Sequence, residues 1–156
     1  MADPKSNPHT STPPDHDWEW TSNGEYKFSD LLKWHDVESS TVLRLTAHYS
    51  TGNLYDAHFE WFINQQLWGP LPEGITIYYP SRDGVKSWIS DNHHYELKTI
   101  ADTNKTDVAT LLRLTAIHSP DALYAANMAA YINSCSWEGG GGYLPAGSRV
   151  WFPAGH

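Results

Sequence analysis

The sequence predicts an α+β protein built as two tandem β-α-α-β modules, and three observations carry that prediction. The pentapeptide Leu-Arg-Leu-Thr-Ala occurs at residues 43–47 and again at residues 112–116, an offset of 69 residues. At that offset Tyr26 falls on Tyr95, Tyr55 on Tyr124, Asn64 on Asn133 and Trp68 on Trp137 without a gap. A four-residue slip at the glycine run 139–142 then brings Leu71-Pro-Glu-Gly-Ile-Thr-Ile-Tyr-Tyr-Pro80 onto Leu144-Pro-Ala-Gly-Ser-Arg-Val-Trp-Phe-Pro153. An internal repeat of this length is the dominant constraint on the fold.

Taken in order, residues 1–17 are rich in Pro, Ser, Thr and Asp and read as a polar arm; the arm is drawn to residue 20, ahead of a first module at 21–80. Trp18 and Trp20 lie two residues apart, so an extended segment puts both indoles on one face. They either await a partner or cap the module's own core. Asn23-Gly24 marks a turn, and the alternation beginning at Tyr26 predicts a strand over 26–32. Residues 36–41 supply helix-start chemistry, and Val42, Leu45 and Tyr49 follow at helical spacing. A second helix spans 54–65, apolar nearly all round, so it expects cover on more than one side. A loop leads to a strand at 75–79 that Pro80 is expected to stop.

Residues 81–92 contain Asp83-Gly84 and Trp88-Ile89 and read as a packed linker. The second module, 93–156, repeats the order: a strand at 95–100, a capped helix at 107–118, an alanine-rich helix at 121–133 and a closing strand at 148–152. The second helices differ between copies, Asp-Ala-His-Phe-Glu-Trp-Phe against Ala-Ala-Asn-Met-Ala-Ala-Tyr, which predicts different neighbours for each: either one another or separate partner subunits. The leucines of the twin pentapeptide are expected inward, with Arg44 and Arg113 outward.

Each copy is roughly 60 residues, a size that is marginal alone; the copies are expected to lean on each other or on a partner. Eight Trp and nine Tyr in 156 residues supply broad surfaces with polar tips, suited to small cores and to interfaces. A formal net charge of −8, with 10 Lys+Arg against 18 Asp+Glu, argues against nucleic acid as a partner. One cysteine excludes an internal disulfide. The first residues lack the apolar stretch of a signal peptide, and no apolar run reaches spanning length, so no membrane partner is expected.

The final Leu-x-x-Gly-x-x-apolar-x-apolar-Pro pattern resembles the LysM domain, through Leu71, Gly74, Ile77 and Pro80 in one copy and Leu144, Gly147, Val150 and Pro153 in the other. Asn64 and Asn133 match the asparagine that closes the second helix there. Within that family, His48-Tyr49-Ser50-Thr51-Gly52 followed by a helix and Leu71-Pro-Glu-Gly is similar to phage tail protein X and to the LysM proteins of contractile-tail baseplates. The resemblance covers residues 26–80 and 95–153 and implies two functions. One is a non-enzymatic structural adaptor of a contractile phage tail or related injection system, in contact with other tail or baseplate subunits, located in the virion after cytoplasmic assembly. The other is a peptidoglycan- or chitin-binding module. Its groove would lie between the helix starts and the loops 65–68 and 134–137. The Gly-Asp-Thr that opens the first helix in ordinary LysM domains is replaced by Glu38-Ser-Ser-Thr41 and Asp107-Val-Ala-Thr110, on the glycan side of that groove, which favours the adaptor. Contact residues on either reading are Trp18, Trp20, Gln65, Gln66, Trp68, Ser134, Trp137, Gly140 and Gly141.

No catalytic constellation and no cofactor follow from the residues. Nine histidines are scattered without metal-ligand spacing. Cys135 pairs with His118 only on a nucleophile reading, and a small buried thiol fits it better. Asp56 and Glu60 lie one helical turn apart, but their counterparts are Ala125 and Ala129, so they read as a solvated face and not a glycosidase pair. The glycine run 139–142 has no following Lys-Ser/Thr and is no phosphate loop.

Overall fold

A computed structural model describes residues 14–50, 55–93, 95–119, 124, 126–137 and 142–156. The order is β1 (Trp18–Thr21), α1 (Phe28–His35), α2 (Ser39–Tyr49), α3 (Ala57–Gln65), β2 (Thr76–Ser81), β3 (Gly84–Ile89), α4 (Leu97–Thr103), α5 (Val108–His118), α6 (Ala126–Asn133) and β4 (Arg149–Phe152). The class is mixed α+β. Among the described residues no helix is long and apolar enough to cross a membrane.

The strands pair across the copies. β1 runs antiparallel to β4, with Trp18 opposite Phe152 and Thr21 opposite Arg149, and β2 runs antiparallel to β3, from Thr76 opposite Ile89 to Ser81 opposite Gly84. Each copy's closing strand therefore completes the sheet opened by the other. The stretch expected as a linker is a hairpin turn and strand β3, so 81–92 opens the second copy. A one-residue deletion upstream of Tyr26 aligns Trp20-Thr-Ser22 with Trp88-Ile-Ser90, and the two serines act alike. Ser22 donates its amide to Ser148 and its hydroxyl to the Leu144 carbonyl, while Ser90 does so to Ile75 and Pro72.

Both strands expected at 26–32 and 95–100 are helices. Alternation holds only as far as the extended N-cap residues Lys27 and Glu96. From Phe28 the buried residues Phe28, Leu31 and His35 follow helical spacing, as do Leu97 and Ala101. The module is thus β-α-α-α-β. Pro80 does not stop its strand: it lies inside β2, opposite Val85. The amide of Tyr78, two residues earlier, points away from β3 to Thr115. The ring nitrogen of Pro80 faces the same way, so no ladder bond is lost. Gly74 and Gly147 enter the last strands at φ of 89° and 95°, the left-handed region glycine adopts without strain.

The twin pentapeptide lies mid-helix in α2 and α5, which pack against each other, with α2 also on β4 and α5 on β2. Thr46 donates its hydroxyl to the Val42 carbonyl and accepts the Trp151 amide of β4; Thr115 donates to Leu111 and accepts the Tyr78 amide of β2. These reciprocal contacts define an internal two-fold relation between the copies. The second helices obey it too. Asn133 Oδ1, ending α6, accepts the Ser40 amide at the start of α2, and Asn64 Oδ1, ending α3, accepts the Ala109 amide at the start of α5. Each copy's last helix, the second helix expected from the sequence, caps the other copy's pentapeptide helix, the neighbour that composition alone left open. Glu38, at the N-cap of α2, makes no side-chain cap; the orphan amide there is satisfied from across the molecule.

One continuous core results, drawn from both copies. Phe28 packs edge-on against Phe59, Phe62 and Trp137 at 5.1–5.9 Å, spacings favourable for aromatic pairs. Arg113, expected outward, is 8% exposed. Burial lowers its pKa, opposed by the charges of Tyr55, Glu60 and Asp107. Asp56 is no solvated carboxylate: one oxygen caps α3 at His58 and Phe59, and the other accepts the Arg149 amide. Trp61 is 49% exposed, so α3 is covered less completely than its composition implied.

Candidate functional site

The loops that follow α3 and α6 meet on the internal two-fold. Gln66 and Cys135, equivalent by the repeat, face each other with the Gln66 amide nitrogen 2.8 Å from the Cys135 sulfur. Trp68 and Trp137, also equivalent, cross edge-to-face at 5.3 Å. Tyr131 stacks on Trp68 at 5.9 Å and donates its hydroxyl to the Gly69 carbonyl at 2.6 Å. Burial, with the neighbouring Cys135 and Glu96, pushes the Tyr131 phenol up. Trp68 Nε1 donates to the Ile63 carbonyl, fixing the indole across the helix end. A surface cavity of about 460 Å³ lies over this junction, lined by Leu67, Trp68, Pro70, Tyr131, Ser134 and Cys135.

The candidate residues divide sharply here. Gln66, Trp68 and Trp137 are 5%, 8% and 2% exposed. The structure brings them together, which the sequence did not predict, and places them inside the junction and not on its surface. The correction has a physical cause: the two loops were expected on separate modules, each presenting a tryptophan outward, and the crossed strands turn them towards one another. Trp20 is buried as well, the core reading of its pair, whereas Trp18 is half-buried and stacks on Phe152 at 4.9 Å. Gln65 and Ser134 are exposed. Gly140 and Gly141 fall outside the described residues.

Sequence reasoning missed Leu67, which stands 82% exposed beside the buried pair, and Tyr131, which forms one wall. Tyr131 was legible as the tyrosine replacing Phe62 at the repeat offset; nothing in the sequence marked Leu67. Tyr55 and Tyr124, equivalent by the repeat, are buried elsewhere in the core. Each donates to the carbonyl of the pentapeptide's first leucine, Leu43 or Leu112, at 3.3 Å. Burial and the neighbouring Tyr124 push Tyr55 well above the ordinary phenol range. Among the described residues no three His, Cys, Asp or Glu side chains gather as metal ligands would. His48, His58 and His93 are exposed, and Cys135 is half-buried in its contact with Gln66.

No protein-family model, curated protein or solved structure matches the chain.

Proposed function

We propose that the chain is a non-enzymatic structural adaptor acting through protein–protein contacts, built as a fused pair of LysM-like units. Each unit takes its opening strand and helices from one copy and its closing strand from the other. The setting we infer is the baseplate or tail-tube region of a contractile phage tail or related injection machine, which makes the assembled virion its location. The observation that carries the reading is the burial of Trp68 and Trp137, 8% and 2% exposed and packed on one another. Glycan stacking needs an accessible ring face, and the indoles proposed to supply it are committed to the core. The sequence resemblance supports the tail setting, and the exposed apolar residues Leu67, beside the junction, and Trp61, on α3, supply contact area.

The test is a paired binding experiment on the full chain. Retention on insoluble peptidoglycan and chitin is measured beside co-sedimentation with purified tube and baseplate subunits. The adaptor reading expects co-sedimentation with the subunits and passage through the glycans unretained. Retention on either glycan, without co-sedimentation, would replace it with the peptidoglycan-binding alternative.

A further inference from the structure

The internal two-fold allows one half of the molecule to be read against the other. In the half built on β1 and β4, a ring cluster closes the sheet edge. Trp18 stacks on Phe152, His35 stacks on Phe152 at 4.1 Å, and Trp34 meets Tyr26 edge-on at 5.4 Å. The half built on β2 and β3 keeps the floor of that cluster. Tyr79 stands for Phe152, Trp88 for Trp20, Tyr95 for Tyr26 and Ile100 for Leu31. Even the edge-on contact is retained, with Trp88 and Tyr95 at 5.9 Å against Trp20 and Tyr26 at 6.2 Å.

The rings that cover the floor are absent there. Trp18 is replaced by Lys86, Trp34 by Thr103 and His35 by Asn104. What remains is an open, mainly apolar cleft of about 380 Å³ between β2, β3 and α4. Each floor residue is correspondingly more exposed than its counterpart. Tyr95 is 45% exposed where Tyr26 is 9%, while Ile100, Tyr79 and Trp88 are half-buried where Leu31, Phe152 and Trp20 are buried.

The charge at the rim is reversed as well. Lys86 lies opposite Tyr79 in the ladder and on the same strand face as Trp88, which places it at the mouth of the cleft. Among the described residues it has no ion-pair partner. Lys105 takes the place of Asp36 beside Asn104. In the filled half the covering Trp18 is flanked by Asp17 and Glu19. We propose that the cleft seats an indole-sized aromatic side chain from a partner protein, on a segment that carries a carboxylate next to the ring. The ring takes the place that Trp18 and Trp34 fill in the related half, and the carboxylate meets Lys86. The choice of a protein as occupant rests on the adaptor reading; the ring and charge preferences rest on the cleft itself.

The test titrates the ¹⁵N-labelled full chain with two end-capped tripeptides, Asp-Trp-Glu and Lys-Trp-Lys, following the Trp88 indole N–H and the Ile100 amide. Asp-Trp-Glu is expected to shift both signals and to bind about two- to fivefold more tightly than the basic peptide, the range of an exposed ion pair. Thr103→Trp, which copies the filled half, should abolish the shifts, and Lys86→Glu, at an exposed site, should invert the peptide preference. Equal binding of the two peptides, or shifts that survive Thr103→Trp in a folded protein, would overturn the proposal. So would the same signals responding to chitotriose, or to dilution of the chain alone, which would make the occupant a glycan or a second copy. Failure of both peptides to bind would overturn the cleft proposal and leave the subunit co-sedimentation untouched, whereas glycan retention would remove the adaptor and leave the cleft's ring preference standing.

Discussion

Thr46→Val isolates one bond that holds the two copies together. The hydroxyl is buried, accepts the Trp151 amide at 2.9 Å and donates to the Val42 carbonyl at 2.7 Å. Valine keeps the branched shape and deletes both bonds, so packing is unchanged while the amide of β4 loses its acceptor. Leaving a buried donor unsatisfied costs about 1–3 kcal/mol, and the half-buried position of Trp151 places the loss at about 1–2 kcal/mol. The helix bond to Val42 adds little, because that carbonyl remains available to the helix backbone. For a domain of this size the loss corresponds to a fall in Tm of roughly 2–8 °C. Thermal unfolding by circular dichroism reads the fall, and amide hydrogen exchange locates it: the Trp151 amide should lose protection while the Tyr78 amide keeps it. Thr115→Val should reverse that pattern, because Thr115 accepts Tyr78, and Thr46→Ser should be milder than Thr46→Val. A Thr46→Val protein with unchanged Tm and an equally protected Trp151 amide would refute the reasoning.

Three further outcomes follow from the same geometry. Asn133→Ala and Asn64→Ala each remove a cap supplied across the two-fold and should cost about 1 kcal/mol apiece, read by urea unfolding with an unchanged m-value. Trp137→Ala should cost about 3–5 kcal/mol, because the indole is packed against Phe28, Phe62 and Trp68; a near-neutral result in denaturant titration would place it at the surface. Burial, followed by Asp107, raises the pKa of Glu60, against the opposing effect of Arg113. A raised carboxylate binds its proton more readily when folded, so it penalises the folded state as pH rises through its pKa and the penalty is relieved as pH falls. Glu60→Gln should therefore flatten the stability profile as pH rises above the ordinary glutamate range, without lowering stability at neutral pH, checked by Tm against pH.

The repeat made most of the fold legible. Its pentapeptide located α2 and α5, and the glycines before the last strands located the turns into β2 and β4. Two things were hidden for physical reasons. Alternation through Tyr26 and Phe28 looks like a strand because the N-cap residue is itself extended, and only Leu31 and His35 disclose the helix. Strand partners were also illegible, since β2 satisfies the same hydrophobic pattern whether it pairs with β1 or with β3. That single ambiguity decided the site. Paired within its own copy, each module would turn its loop tryptophan outward; paired across copies, Trp68 and Trp137 become core. Lys86, Thr103 and Asn104 carried a signal that only the internal comparison exposes, because polar residues at three ring positions look unremarkable until the rings are seen packed in the other half.

Crossed strand pairing is the claim on which the buried tryptophans and the open cleft both depend. Cross-strand backbone NOEs in the full chain test it most directly. The account predicts contacts linking Glu19 to Trp151 and Thr21 to Arg149, with Ile77 linked to Trp88 and Tyr79 to Lys86. Contacts linking residues 18–21 to residues 76–81 would contradict it, because each copy would then close upon itself.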